Sequence, residues 1–465
     1  MNAASSSDAS GSGGAGSSGA GRPGVDGASR PESGGAGAAS LPQPGSGGAF
    51  QRPDAGPLLL QGVRVVDGRG LRHERADVLL EAGRIARISA APIHAPGARI
   101  LDLAGRTVTP GLMNAHAHVC LDGTSPDPEA ILRTETPTET AIRSAARLRK
   151  VLESGVTAIR DVGGPSAINI ALNRLVDRGE IPGPRMISAG RNVTMTGGHG
   201  HWMGIEADGA DGVRQATRLQ IKLGARAIKL MATGGMMTPN QIAGAPQFTI
   251  EEMRAACEEA HKAGFPACAH SESDEGSRNA VLAGVDSIEH GHGMSRETIE
   301  LMLERGTMLV PTIQSDRAII EGGVAVGIPD FVVEKCVALA DTLVTALEMA
   351  FEMGLTIAAG NDGGAPLVEV GDMVPELALY VQHGMSATKA IEAATINTAR
   401  LFRMSELGYV EPGWHADLLV LAGDPLADIR ALRGPELVIQ AGALVAGSGL
   451  AAAGATRAHP FETIP

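Results

Sequence analysis

Aromatic side chains are almost missing from this chain: 7 Phe, 2 Trp and 2 Tyr are spread over 465 residues. A stacking platform for nucleic-acid bases is therefore not expected, and the core must be built from Val, Ile, Leu, Ala and Met. Positive charge is scarce as well. Lys and Arg total 39 against 52 Asp and Glu, a formal net charge of −13, and no basic run offsets it. No nucleic-acid partner is expected from such a balance. Only 4 cysteines occur, Cys120, Cys257, Cys268 and Cys336, and none has CxxC spacing. They read as reduced core residues of a cytoplasmic protein, not as a disulfide framework. No run approaches the roughly 18 continuous apolar residues of a membrane span, and no apolar segment of the export-signal type follows the first residues. Neither a membrane partner nor an ordinary export signal is expected.

What is abundant is Gly, Ala and Ser, and residues 1–56 are dominated by them. Such a segment cannot bury enough surface to offset its ordering entropy, so a disordered extension is expected there. The tail 447–465 is expected to be poorly ordered. From Pro57 the pattern changes to a small β module: Leu58–Val66 reads as a strand, and Ala76–Leu80 with Ile85–Ile88 as a hairpin about a Gly-containing turn. After His118, strands and helices alternate, which predicts a parallel sheet covered by helices. The first helix is predicted over Thr138–Ser154 with Thr138 as its N-cap, and another over Thr249–Ala263 from a capping-box-like start. Eight strands, each followed by helix, fall within residues 109–404, the size of a (β/α)8 TIM barrel. Strands return near 408–413, 416–421 and 437–440 and can join the N-terminal ones. Residues 57–108 plus 405–446 are therefore expected to form a small β-sandwich domain beside the barrel.

The barrel opens on Thr109-Pro-Gly-Leu-Met-Asn-Ala-His-Ala-His118. Side chains two apart on an extended segment point the same way, so His116 and His118 can present imidazoles to one point. Alone, the pair is either a metal site or two polar residues leaving a strand. Later strand ends decide. Lys229 lies on the fourth strand, His270 ends the fifth, His290 ends the sixth, and Asp362 follows the eighth. Catalytic groups of such barrels sit at the C-terminal strand ends, and four imidazoles with a carboxylate suit one or two divalent transition ions. Lys229 is informative, because an ammonium aimed at dications is repelled and a buried lysine readily loses its proton. The neutral amine can take up carbon dioxide as a carbamate, an oxygen donor able to bridge two metals. Arg160-Asp161 on the second strand reads as a structural ion pair.

These residues, together with Lys229-Leu-Met-Ala-Thr-Gly-Gly235, Ile288-Glu-His-Gly-His292 and Ala390-Ile-Glu-Ala-Ala-Thr-Ile-Asn-Thr-Ala399, resemble the binuclear amidohydrolase superfamily. The likeness is to its prolidase-like branch, which includes Xaa-Pro dipeptidases, ochratoxin-hydrolysing amidases, and molinate and phenylurea hydrolases. Strand eight departs from the pattern, reading Gly360-Asn-Asp-Gly-Gly364 where many members carry Thr-Asp. The resemblance implies hydrolysis of an amide-type C–N bond in a dipeptide, an N-acyl amino acid, or a xenobiotic amide, carbamate or urea. It implies two divalent ions, zinc being expected and cobalt or manganese the alternatives. His116, His118 and Asp362 would hold one, His270 and His290 the other, with N6-carboxylated Lys229 between them. A metal can lower the pKa of its water from about 15.7 to about 7, and Asp362 is placed to relay the proton. From the loop Thr196-Gly-Gly-His-Gly-His201, His199 is a candidate to stabilise the oxyanion, and His199, His201 and Arg191 are candidates to bind substrate. A small-molecule substrate and a homo-oligomer are expected. The rivals are a mononuclear deaminase or imidazolonepropionase-like hydrolase, in which the bridging lysine is typically missing, and a non-catalytic binding protein on the same barrel.

Overall fold

The computed structural model describes residues 56–447; apart from Gly56 and Gly447, the expected extension and tail lie outside the described residues. The first five strands are β1 (Leu58–Asp67), β2 (Gly70–Glu81), β3 (Arg84–Ser89), β4 (Arg99–Asp102) and β5 (Thr107–Pro110). The β2–β3 hairpin pairs Glu81 with Arg84 across Ala82 and Gly83, whose φ values of 48° and 78° are both left-handed. A two-residue loop of that hand matches the twist of the strands it joins.

The next nine strands are β6 (Leu112–Ala117), β7 (Val156–Asp161), β8 (Arg185–Ser188), β9 (Val193–Thr194), β10 (Ile205–Glu206), β11 (Ile228–Met231), β12 (Ala267–Ser271), β13 (Ser287–His290) and β14 (Met308–Val310). They pair in parallel as two sheets, β6-β7-β8 and β10-β9-β11-β12-β13-β14, with helices between successive long strands. This is an α/β fold of TIM-barrel type. The Arg226 amide donates to the Ser188 carbonyl at 2.9 Å, joining the end of β8 to the start of β11.

The predicted eighth strand, Leu355–Ala359, is not a regular ladder. It is held on one side by Leu309 N to Thr356 O at 3.1 Å and on the other by Ala115 N to Ala359 O at 2.8 Å. Gly360 ends it where a Cβ would lie 2.7 Å from the His116 amide nitrogen. Only a glycine lets the chain come that close.

Three further differences are local. The helix predicted from Thr138 spans Pro137–Glu153 and is capped by Thr136, whose side chain accepts from the Glu139 amide while Glu139 reaches back. Pro137 at the first position and the Thr-x-x-Glu box select Thr136 over Thr138. Unpredicted helices cover Pro128–Thr134 and Ile313–Gly322. Residues 408–413 form no strand.

The chain ends with β15 (Leu418–Leu421), β16 (Leu437–Gln440) and β17 (Ala443–Ala446). As expected, these return to the N-terminal strands: β15 pairs antiparallel with β5, giving the order β17-β16-β15-β5-β1-β2-β3, with β4 on β1. Alternation explains how one strand serves two cores. Leu418 and Val420 pack with Val63, Val65 and Val78, whereas Leu419 and Leu421 pack with Leu112 and Val156 of the parallel strands. Arg185 on β8 adds a buried ion pair to Asp417, at 2.7 and 3.1 Å, across that boundary. All four cysteines are free and buried. No described helix is long and apolar enough to cross a membrane.

Candidate metal centre

His116 leaves β6 fully buried, and its Nδ1 lies 2.8 Å from Glu289 Oε2 on β13. A carboxylate only accepts, so the ring proton sits on Nδ1 and Nε2 is left with its lone pair toward the cavity. Glu289 is itself held. Arg160 on β7 donates to its Oε1 at 2.7 Å, to Ser287 Oγ at 3.0 Å and to the Ala115 carbonyl at 2.7 Å. The expected Arg160–Asp161 ion pair is therefore not formed. Adjacent strand residues face opposite ways, and Asp161 instead accepts from the Val119 and Gly163 amides at 2.8 and 3.1 Å.

His118 donates from Nδ1 to the Gly163 carbonyl at 2.8 Å, which turns its Nε2 inward as well. Asp362 Oδ1 lies 3.4 Å from His116 Nε2 and 3.5 Å from His118 Nε2. These three side chains offer ligand atoms within 4.8 Å of one another. His290 is oriented by Thr312, with 2.7 Å between Nδ1 and Oγ1. Its ring centroid lies 5.0 Å from that of His116 and 4.7 Å from that of His270. His270 Nε2 is buried without a hydrogen-bond partner, 3.6 Å from Glu272 Oε1. Lys229 is buried, lines the same cavity, and its amine makes no hydrogen bond.

Strand ends are bent to bring these groups together. His290, Thr312 and Asp362 adopt left-handed φ values of 69°, 52° and 55°. Such conformations cost about 1–3 kcal/mol each for residues other than glycine, and they cluster where side-chain aim matters more than stability.

Burial dominates the electrostatics. It holds His116, His270 and His290 well below the usual imidazole range, with Lys229 adding repulsion. It lowers Lys229 too, and raises Asp362. Neutral imidazoles and a lysine disposed to lose its proton are the states in which these groups donate lone pairs. A buried cage of lone-pair donors, one of them an orphaned imidazole nitrogen, fits divalent transition ions.

Of the residues proposed to bind substrate, His199 is in the cavity. Its Nδ1 lies 2.9 Å from Thr238 Oγ1, its ring centroid is 4.4 Å from that of His270, and burial pushes its pKa down to about 3. His201 is exposed and folds back on the Gly198 carbonyl at 3.0 Å. Arg191 is turned onto the carbonyls of Met203 and Gly204. Neither lines the cavity among the described residues.

Most of the remaining wall is absent from the sequence reading. It includes Glu129 of the unpredicted first helix, Glu272, Asp316, Trp202 and the methionines 203, 231, 236 and 237. Burial pushes Glu272 up to about 8. His292 Nε2 lies 2.8 Å from Asp316 Oδ2; burial works against its cationic form, and the Asp316 charge outweighs that and raises its pKa. Glu289 had a signal, since it precedes a candidate ligand in Ile288-Glu-His-Gly-His292, whereas Thr312 and Asp316 had none.

With this geometry in place, comparison with known proteins is direct. Residues 107–445 match the amidohydrolase family. The ochratoxinase of Aspergillus niger is 30% identical over 386 residues, covering 76% of this chain and 78% of that one. Its crystal structure superposes with a TM-score of 0.74 over 85% of this chain and 96% of that one, at 28% identity. A Xaa-Pro dipeptidase with methionine bound in its active site gives 0.77 at 31% identity, covering 84% of this chain and all of that one. A prolidase complexed with N-methylphosphonate-L-proline gives 0.78 at 30% identity over the same shares.

Proposed function

The chain belongs to the amidohydrolase family, in its prolidase-like branch, and is a hydrolase of amide-type C–N bonds; from that premise we propose that it is a binuclear metal enzyme. The observation that carries the reading is the meeting of four histidine rings, Asp362 and the unbonded amine of Lys229 in one cavity. His116, His118 and Asp362 would hold one ion and His270 and His290 the other, and carboxylated Lys229 would supply oxygen donors to both. When bound, such ions polarise the scissile carbonyl and make water acidic enough to supply a nucleophile at neutral pH.

The chain's own groups do the rest. Asp362 Oδ1, set between the two Nε2 atoms, takes the proton from water and delivers it to the leaving nitrogen. His199 is neutral, and with Thr238 donating to its Nδ1, its Nε2–H is free to stabilise the oxyanion. Met203, Met231, Met236, Met237 and Trp202 keep the cavity dry and accommodate an apolar substituent. The substrate is a small molecule: a dipeptide, an N-acyl amino acid, or a xenobiotic amide, carbamate or urea.

Supporting the architecture implied, segment 355–359 bridges β14 and β6, which we read as closing a (β/α)8 barrel over residues 109–404. Residues 57–108 and 405–446 we read as its β-sandwich companion. A cytoplasmic homo-oligomer completes the reading.

The test is metal analysis of the purified chain alongside a hydrolysis screen over dipeptides, N-acyl amino acids, carbamates and phenylureas. Two ions per chain, with turnover lost on chelation and restored on reloading, is the expected result. Full activity with one ion would overturn it. That outcome would favour the mononuclear alternative, whose supporting observation is that the compact three-residue donor group contains only His116, His118 and Asp362.

A further inference from the structure

Segment 235–238 lies directly against His199. A Cβ on Gly235 would come within 2.5 Å of His199 Cε1, so only a glycine lets the backbone approach the imidazole this closely. Three residues on, Thr238 is 2% exposed. Its Oγ1 lies 2.9 Å from His199 Nδ1 and accepts from the Gly200 amide at 3.3 Å. One short turn thus both packs on the ring and bonds to it. Where that turn sits decides where His199 Nε2 points.

The turn is held from outside, by the helix Asp330–Glu352. Phe331, Val332, Lys335, Cys336 and Leu339 recur there at helical spacing on one face. The apolar members of that face share a cluster with Met236 and Met237 of the turn. Lys335, in the middle of the face, donates from Nζ to the carbonyls of Gly235 and Thr238 at 3.3 and 2.7 Å. One half-buried ammonium therefore closes both ends of the turn, and a charged donor makes the stronger kind of hydrogen bond. Its Nζ also lies 5.4 Å from the centre of the Phe331 ring. Inside the turn, the Met236 amide donates to Glu272. Lys335 itself does not line the cavity. Its reach ends on the two carbonyls, and through them on the residues that touch His199.

We propose that Lys335 is a positioning residue for the hydrolysis: by closing the 235–238 turn onto the imidazole, it sets the place of the His199 Nε2–H that stabilises the oxyanion. This rests on the amide-hydrolase reading of the same cavity and on His199 as its oxyanion donor.

A double-mutant cycle on the metal-loaded full chain tests it. The probe is whichever of methionylproline, N-acetylmethionine, methyl phenylcarbamate and N,N-dimethyl-N′-phenylurea the wild type turns over fastest. His199→Gln should lower kcat about 100-fold. Lys335→Met should lower it about tenfold with KM changed by less than about twofold, because the donor it positions acts in the transition state. In the His199→Gln background, Lys335→Met should cost less than about twofold more, whereas a merely structural lysine would cost the same in both. Unchanged kcat in either single variant, or an equal fall in both backgrounds, overturns the proposal and leaves the hydrolase reading standing. The ring is also read apart from turnover. With nitrogen-15-labelled histidine, and His199→Gln to assign the signal, the zinc-loaded chain should show His199 in its Nε2–H form. Lys335→Met should shift or split that signal and leave those of His116 and His118 in place. If no probe is hydrolysed, the hydrolase reading fails on its own, and an unmoved His199 signal still refutes the positioning role. Should Lys335→Met not fold, Lys335→Gln carries the same cycle and the same spectrum.

Discussion

Two walls of one cavity are built on opposite terms. Behind the His116 wall a chain of polar groups is paired: His116 to Glu289, Glu289 to Arg160 and Ser287, Arg160 to the Ala115 carbonyl, Asn114 to Asn361. On the Glu272 wall, buried atoms are without a hydrogen bond: His270 Nε2, Glu272 Oε2 and His292 Nδ1. A satisfied network fixes geometry before anything binds, while an unsatisfied one stores a demand that a ligand can meet. The contrast assigns positioning to the first wall and recognition to the second.

The sharpest way to break this comparison is at Asp362, whose Oδ1 sits between the two imidazoles of the ordered wall. Asp362→Asn keeps the shape and removes the base. Turnover should fall by about 10² to 10⁴-fold while the unfolding midpoint moves little. Intact metal-dependent hydrolysis would remove Asp362 from the proton path.

Glu289→Gln comes next. Arg160 is 0% exposed and would be left as a buried cation without its counter-charge. A stability loss of about 3–5 kcal/mol is expected by chemical denaturation, with weaker metal retention, because the ring of His116 loses its acceptor. Loss of metal alone, at unchanged stability, would mean that Arg160 finds relief elsewhere.

How far the two walls were legible in the sequence follows from the same contrast. The candidate ligands on both walls were visible because each occupies a strand end, where topology alone dictates convergence: His116, His118, His270, His290 and Asp362. Their supports were not, since Glu289 meets Arg160 across 129 residues of chain and no periodicity encodes such a pairing. Arg191 suggests an anion site by residue type, but no periodicity encodes that the local loop turns its guanidinium onto two carbonyls. The Thr136 cap was readable and misplaced, as Thr138 lies inside the turn that Pro137 starts. Most of the Glu272 wall was not read from the sequence, because it draws on the short Pro128–Thr134 and Ile313–Gly322 helices, neither of which was predicted.

The third prediction probes the support behind the Glu272 wall. Glu376 accepts from the Ile313 and Gln314 amides at 3.1 and 2.6 Å, and burial pushes its pKa up to about 8. A folded pKa above the unfolded one means that the folded state holds the proton longer. Stability is then highest below the ordinary carboxyl range and is lost as pH rises from there to about 8. Relative to wild type, Glu376→Gln should therefore gain stability across that window, on the order of 1 kcal/mol per pH unit at most. Parallel melting curves with pH would contradict the protonated state.

The smallest effect is the most discriminating. Gln314 is 8% exposed, and its Oε1 is buried with no partner, whereas Asn114 donates to Asn361 at 2.7 Å and to the Val370 carbonyl at 2.9 Å. Both are buried amides, so composition alone gives them the same value. Removing a partnered amide strands its partners and costs about 1–3 kcal/mol, while replacing an unpartnered one by an apolar group of similar shape is nearly neutral. Asn114→Leu should therefore destabilise by that amount, and Gln314→Met should change stability by less than about 1 kcal/mol, in either direction. Equal losses in the two variants, measured by denaturant titration, would mean that Gln314 Oε1 is already satisfied.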